Sequence, residues 1–262
     1  MAFTHHLSLI RRLTRREFDQ RFKGSFLGWF WAIIVPLAML AVYSLVFGSI
    51  LGSRWPQPED ATTQFPFPML LFVGLIVFGL FSEPFNRAPS LILENSSYVK
   101  KVVFPLEILP VVAVIGALIN SGISFIAFFL IYFGLFGIPP YTALLLPISL
   151  LPLVLFTLGV SYFLSSVGVF LRDVRHITAP LSTAMLFLSA IFYDPESVPE
   201  AYRWLLYLNP LTPAALQARD LLFWGKIPSL FEFAVSLLFS LLVFSLGLEW
   251  FKRTKKAFSD VI

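Results

Sequence analysis

The sequence predicts an all-α integral membrane protein with six transmembrane helices, and three observations carry that prediction. The first is composition: the 262 residues are 58% hydrophobic and only 13% charged, with a mean hydropathy of +0.83. A soluble domain carries about 25% charged residues, so there is more apolar material here than one aqueous core takes up. The second is six long apolar runs, each a candidate to cross the ~30 Å hydrocarbon core as a helix with its backbone groups satisfied internally. The third is charge asymmetry. All of the 19 Lys and Arg except Arg54, Arg203, Arg219 and Lys226 flank the same side of those runs.

The elements follow in order. Residues 1–28 form a cytoplasmic amphipathic interfacial helix and hinge. At about 100° per residue, Phe3, Leu7, Ile10, Phe18 and Phe22 share one face, while Arg11, Arg12, Arg15, Arg16 and Asp19 populate the other half. Such a helix lies on the membrane with its apolar face near the headgroups. Its plainer role is anchor and topology signal; its sharper role is a docking surface for a cytoplasmic partner, and both hold together. Lys23, Gly24 and Ser25 make the hinge into the first span.

The six spans are 29–51, 67–85, 108–138, 141–171, 177–193 and 227–251. The first follows too long a polar stretch to be a cleavable signal. The third and fourth exceed the ~20 residues a crossing needs and must tilt, kink or project. Pro139 and Pro140 make the turn between them tight. The second and fifth are short, and either tilt little or are broken or partly re-entrant. Positive-inside places both termini in the cytoplasm, with residues 252–262 as a basic tail.

Residues 194–226 lie outside and are too apolar for a solvated loop, with Trp204, Leu205, Leu206, Tyr207 and Leu208 in one run. They read as two short extracytoplasmic re-entrant or gate helices, broken at Asn209–Pro210 because proline lacks the N–H and clashes with the preceding turn. Interior Pro36, Pro147, Pro152 and Pro180 kink helices, shape a lumen or serve packing.

Several chemistries are excluded or disfavoured. There is no cysteine, hence no disulfide or thiolate site. The chain carries no phosphate-binding G-x-x-x-x-G-K-[ST] loop, so an ATPase would be another chain. Glu83, Glu107, Glu232 and Glu249 all sit near predicted span ends, which gives no row of acids for a proton relay. His5 and His6 are not expected to bind metal. The basic balance is a topology signal, not a nucleic-acid one.

The candidate functional residues fall in two groups. Toward the cytoplasm are the interfacial helix, the loop 89–107 with Glu94, Asn95, Lys100 and Lys101, and the loop of Arg172, Asp173, Arg175 and His176. The first loop is either a charged turn or a short helix inserting into a partner. In the second, Arg172–Asp173 or Asp173–His176 pairs fix the end of the fourth span. The other group is aromatic: Trp29, Trp31, Tyr43, Phe47, Trp55, Phe192, Tyr193, Tyr202, Trp204 and Tyr207 cluster near the interfaces. They form an ordinary aromatic belt or, alternatively, a conduit whose rings pack on the apolar faces of sugars.

Four segments resemble the membrane subunit of polysaccharide-exporting ABC transporters, the kind that move O-antigen, teichoic acid or capsule chains. They are residues 16–28, with Arg16, Glu17, Arg21 and Gly28; Lys100 to Pro105; Phe170 to His176; and Tyr207 to Pro213. In Leu171-Arg172-Asp173 the family more usually has Phe-Arg-Asp, so Leu171 stands in place of the Phe, a conservative departure. The resemblance covers nearly the full length in the same order. It implies a homodimer around a channel, one ABC ATPase subunit per copy, and a lipid-linked polysaccharide substrate in the bacterial inner membrane. It implies no catalysis and no cofactor on this chain, with ATP and Mg on the partner ATPase. It assigns ATPase coupling to Arg16, Glu17, Arg21, Glu94, Lys100, Lys101, Arg172 and Asp173. The channel or gate is expected to draw on Trp29, Trp31, Tyr43, Phe192, Tyr193, Tyr202, Trp204, Tyr207, Asn209 and Pro210. The competing readings are an ABC exporter of a small lipid or drug, an ion-coupled transporter, and a membrane lipid-phosphate enzyme.

Overall fold

A computed structural model describes the chain apart from residues 1, 23–24, 26, 53–54, 57–63 and 100–103; the side chains of 2–6, 20–22 and 29 are also outside the described residues. The described residues hold helices and no strand. Helix α1 is Ala2–Phe22, and α2 is Trp31–Tyr43, continued by a π-helical stretch to Ile50. Next come α3 (Phe67–Glu94), the single turn α4 (Ser96–Val99) and α5 (Ile108–Phe136). A 3-10 turn at Tyr141–Leu145 leads into α6 (Leu146–Ser149) and α7 (Leu151–Phe170). The rest is α8 (Val174–Phe187), α9 (Glu200–Leu208), α10 (Leu211–Arg219), α11 (Leu230–Thr254) and α12 (Phe258–Val261).

Among the described residues, five stretches are long and apolar enough to cross a membrane: Trp31–Ile50, Phe67–Glu94, Ile108–Phe136, Tyr141–Phe170 and Leu230–Val261. The fifth predicted span, 177–193, is instead the 14-residue α8, only about 21 Å of helix. It stops at Phe187 because Asn209 reaches back from the α9–α10 hairpin. The Asn209 side-chain amide donates to the carbonyls of Met185 (2.7 Å) and Leu188 (3.0 Å), satisfying groups that a longer helix would have bonded itself.

Helix α3 departs the other way. Hydropathy ends it at Phe85, but it runs on to Glu94 through Pro84 and Pro89, both buried. The polar residues that end the apolar run find partners inside the protein. Both carboxylate oxygens of Glu83 accept from Asn120 Nδ2 on α5 (3.2 and 2.8 Å), and Asn86 Nδ2 donates to Ser182 Oγ on α8 (3.1 Å). Glu83 therefore sits in the interior of a 28-residue helix and not near its end. Helix α3 is the pillar of the bundle, buried for most of its length, while α2 and α11 are largely exposed. Pro36 and Pro180 lie inside α2 and α8; Pro147 and Pro152 fall in the first turns of α6 and α7, where the missing N–H has no consequence.

Glycines bring the helices together. A Cβ on Gly247 of α11 would collide with the Gly159 carbonyl of α7, and one on Gly159 would lie 2.6 Å from the Phe244 backbone. A Cβ on Gly168 of α7 would meet the Pro89 carbonyl of α3. Close backbone approach through small residues is how membrane helices gain packing without a hydrophobic driving force. Two apolar cores result. One lies around Leu70, Phe81, Phe128 and Leu222, toward the α9–α10 hairpin; the other, around Ile92, Leu109, Tyr162, Phe251 and Phe258, lies toward α1. The residues read as a basic tail belong to the second: Phe258 is wholly buried, and Lys255 pairs with Glu107 at the start of α5.

Candidate functional site

At its end of the bundle, α1 is pinned by polar contacts. Glu17 forms an ion pair with Arg87 near the end of α3, and Arg87 Nε also faces Glu94 at 3.5 Å. Arg16 Nη1 donates to the Tyr98 hydroxyl of α4 at 2.7 Å, and the Tyr98 ring stacks on Phe104. A small cavity of about 50 Å³ lies between the helices, lined by Leu13, Arg16, Glu17, Arg87, Leu91, Asn95, Leu109 and Val112. Thr14 of α1 is buried, whereas Leu7, two turns earlier on the same side of the helix, is exposed. Arg16, Glu17 and Glu94, three of the predicted coupling residues, are thus brought into one constellation. Their hub, Arg87, counted in the sequence only as topology charge.

The other predicted coupling residues are separate or beyond view. Arg21 has its side chain outside the described residues, as have Lys100 and Lys101 altogether. Arg172 and Asp173 are exposed in the turn between α7 and α8. Among the described residues no ion pair joins Arg172 to Asp173 or Asp173 to His176. Asp173 takes the cap position of α8 without a side-chain bond, its carbonyl accepting from the His176 N–H at 2.9 Å. The end of α7 is fixed by other means: Ser166 Oγ and Thr254 Oγ1 lie 2.6 Å apart, and Tyr162 donates to the Glu107 carbonyl at 3.0 Å. Burial raises the pKa of the Glu107 carboxyl, but the hydrogen bond from Lys255 and the charges of Lys255 and Lys252 outweigh it and hold the group below its usual value.

At the opposite end, α9 and α10 form the predicted pair of short helices, parted at Asn209–Pro210. Tyr202, Trp204 and Tyr207 are exposed on α9, while Asn209 is buried in its bonds to the end of α8. Pro210 lines a cleft of about 210 Å³ together with Tyr207, Gln217, Phe239 and Ser240. Tyr43 and Phe192 meet through Phe47, at ring separations of 6.4 and 6.2 Å, and Phe67 and Trp55 extend the row. Tyr193 donates its hydroxyl to the Phe187 carbonyl. Trp31 is exposed at the far end of α2, about 18 Å along the helix from Tyr43, and does not join them. The side chain of Trp29 lies outside the described residues.

The residue that sequence reasoning missed here is Arg219. Its side chain has no solvent exposure, yet among the described residues no carboxylate pairs with it. Instead Nε donates to the Leu70 carbonyl (2.9 Å), Nη1 to Ala190 (2.6 Å) and Nη2 to Ile191 (2.7 Å), and the guanidinium lies 4.2 Å from the Trp55 ring centre. Burial lowers its pKa to about 9, with Asp194 and Asp220 opposing the shift, so the group remains a cation at neutral pH. A lone positive residue in an apolar run was the available signal, but the carbonyls that hold it are brought to it only by the fold. Among the described residues no cluster of His, Asp and Glu offers a metal site.

The chain thus has a helix docked at one end of the bundle and α10 fixed to α3 and to the turn after α8 at the other. It is similar to the O-antigen export system permease protein RfbA of Myxococcus xanthus, 28% identical over 222 residues, which is 84% of this chain and 82% of that protein. It is likewise similar to RfbA of Klebsiella pneumoniae, 25% identical over 256 residues, covering 95% and 93% of the two chains. The polysialic acid transport protein KpsM of Escherichia coli is 26% identical over 251 residues, with 95% and 94% covered. Residues 8–223 match the model of the ABC-2 type transporter, and the chain belongs to that family of membrane permeases.

Proposed function

We propose that this chain is the permease subunit of an ABC transporter that exports a lipid-linked polysaccharide, an O-antigen-like glycan, across the bacterial inner membrane. The observation that carries the reading is that relatives named for O-antigen and polysialic acid transport align over as much as 95% of the chain. Two copies pair around the path, each with one ATPase subunit bound on the cytoplasmic side, where both termini lie. ATP and Mg belong to the ATPase; this chain supplies the conduit and the mechanical link.

The geometry supports a route for the force. Closure of the ATPase pair presses on the surface formed by α1, α4 and the turn at Arg172 and Asp173. Because Arg87 ties Glu17 of α1 to α3, a push on α1 is carried into the central pillar rather than absorbed by a loose surface helix. The other end of α3 holds α10 through the bond from Arg219 to the Leu70 carbonyl. One rigid helix therefore connects the two functional ends, and the exposed rings of α9 and the Tyr43–Phe47–Phe192 row offer weak, sliding contacts to sugar faces.

The test is genetic. A strain lacking its own O-antigen permease should regain surface glycan when this chain is expressed with its ATPase, and should accumulate lipid-linked glycan on the inner face without it. Surface glycan that returns without any ATPase, or export of a small lipid or drug with no effect on glycan, would overturn the reading in favour of an ion-coupled carrier or a small-molecule exporter.

A further inference from the structure

Resting on the export reading, we propose that Arg219 is the positioning residue of the outer mouth: it joins α10, the first turn of α3 and the turn after α8 into one body that stays closed throughout the transport cycle, leaving α9 as the part that moves. The carbonyls of Ala190 and Ile191 lie beyond the end of α8, where no helical N–H reaches them, and Arg219 satisfies both while also bonding Leu70. Parting these elements would leave a cation and two carbonyls unpaired in apolar surroundings, a state more costly than never having formed the bonds. The fork geometry of the guanidinium makes the three contacts simultaneous, which an ammonium does not do.

The surroundings are built for that side chain. A Cβ on Gly74 would come within 2.8 Å of Arg219 Nη2 and 3.0 Å of Ile191 Cγ2, so position 74 has to lack a side chain for the fork to seat. Trp55 covers the outer face. Two threonines extend the same body: Thr212 Oγ1 accepts from the Ala190 N–H at 3.3 Å, and Thr142 Oγ1 donates to the Leu221 carbonyl at 2.6 Å. Among the described residues, helix α9 makes no ties of this kind. Its Arg203 bonds only to the carbonyls of Val198 and Glu196 in the turn just before it, and Leu206 is its one buried residue. Asn209, fixed to the end of α8, is the pivot.

The chain has no cysteine, so spin labels can be placed at will. In the transporter assembled with its ATPase, labels at the exposed positions Gln64 and Ile227 bracket the clamped body, and labels at Gln64 and Tyr202 report α9. The Gln64–Ile227 distance should be the same without nucleotide and with trapped ATP, while the Gln64–Tyr202 distance shifts. A Gln64–Ile227 distance that changes with nucleotide overturns the proposal, as does an unmoved Tyr202 label. A second measurement is functional. An Ala190→Cys/Thr212→Cys disulfide should leave export unchanged on oxidation; export that stops when the bond forms and returns on reduction overturns the proposal. Arg219→Ala and Gly74→Ala should lower the glycan exported per ATP hydrolysed and broaden the Gln64–Ile227 distribution, whereas Gly79→Ala, where a Cβ meets open space, should do neither. Equal behaviour of Gly74→Ala and Gly79→Ala overturns it. Absence of glycan export by the unaltered protein refutes the export reading alone, because the label distances still read the clamp.

Discussion

Arg87→Met removes the ion pair that ties Glu17 of α1 to α3, together with the contact to Glu94 within α3 that orients the guanidinium. The Arg87 side chain is 35% exposed, Glu17 27% and Glu94 50%, so solvent screens the network in part. Exposed ion pairs contribute about 0.2–1 kcal/mol and hydrogen bonds to charged groups about 1.5–3 kcal/mol. The half-exposed Glu94 arm, at 3.5 Å, belongs to the lower range, and the Glu17 arm lies between the two. Only the Glu17 arm crosses to α1, and at about 1–2 kcal/mol its loss means roughly a 5- to 30-fold rise in the undocked population of that helix. Trypsin reads that population, since Arg11, Arg12 and Arg15 are exposed on a helix that must open locally to be cut. Cleavage in α1 should accelerate by that factor for Arg87→Met and less for Glu17→Gln, with the double variant no faster than Arg87→Met. In the assembled transporter the same variants should hydrolyse more ATP per glycan exported. Cleavage rates equal to the unaltered protein, or effects that simply add, would refute the claim that Arg87 is the hub.

Gly247→Ala should destabilise the α7–α11 contact by about 1–3 kcal/mol, because the new methyl meets a backbone carbonyl that cannot rotate away; the check is the melting temperature in detergent. Asn209→Asp should be worse than Asn209→Ala in the same measurement, since it turns a donor into a carboxylate facing the carbonyls of Met185 and Leu188. Asp220 supplies a pH dependence. Burial pushes its pKa up to about 6 from 3.8, against the pull of Lys226. The folded state therefore binds the proton more tightly than the unfolded chain, so this group's contribution is most favourable below pH 3.8 and declines as pH rises through about 6. Asp220→Asn should flatten the fall in melting temperature across that window; an identical pH profile in the variant would contradict the assignment.

Local patterns made part of this architecture legible. The break between α9 and α10 could be placed at Asn209–Pro210 because proline acts on its own neighbours, and the apolar character of 194–226 needed no tertiary information. The amphipathic α1 was visible for the same reason. What stayed hidden depended on partners far along the chain. Glu83, Asn86 and Arg87 interrupt hydropathy and mark the end of a span in the sequence, yet Asn120, Ser182 and Glu17 let α3 continue. Lys255 read as tail charge until the fold set it beside Glu107, 148 residues away. Arg219 was counted as one of four outside charges, though its acceptors stand 149, 29 and 28 residues distant. The Arg172–Asp173 turn shows the converse, since adjacent opposite charges suggested a pair that the exposed turn does not form. Among the aromatic residues, spacing grouped Trp31 with Tyr43, but the length of α2 separates them.

On the proposed function, the permease does no work alone and passes a polymer only when a second chain burns nucleotide on its inner side. The direct measurement uses liposomes containing the purified chain and its ATPase, loaded with lipid-linked glycan, in which delivery of glycan to the opposite leaflet is followed by lectin capture. Delivery should require ATP and Mg and vanish when the ATPase is omitted or its phosphate-binding lysine is replaced. Delivery at an equal rate by the permease alone would contradict the account.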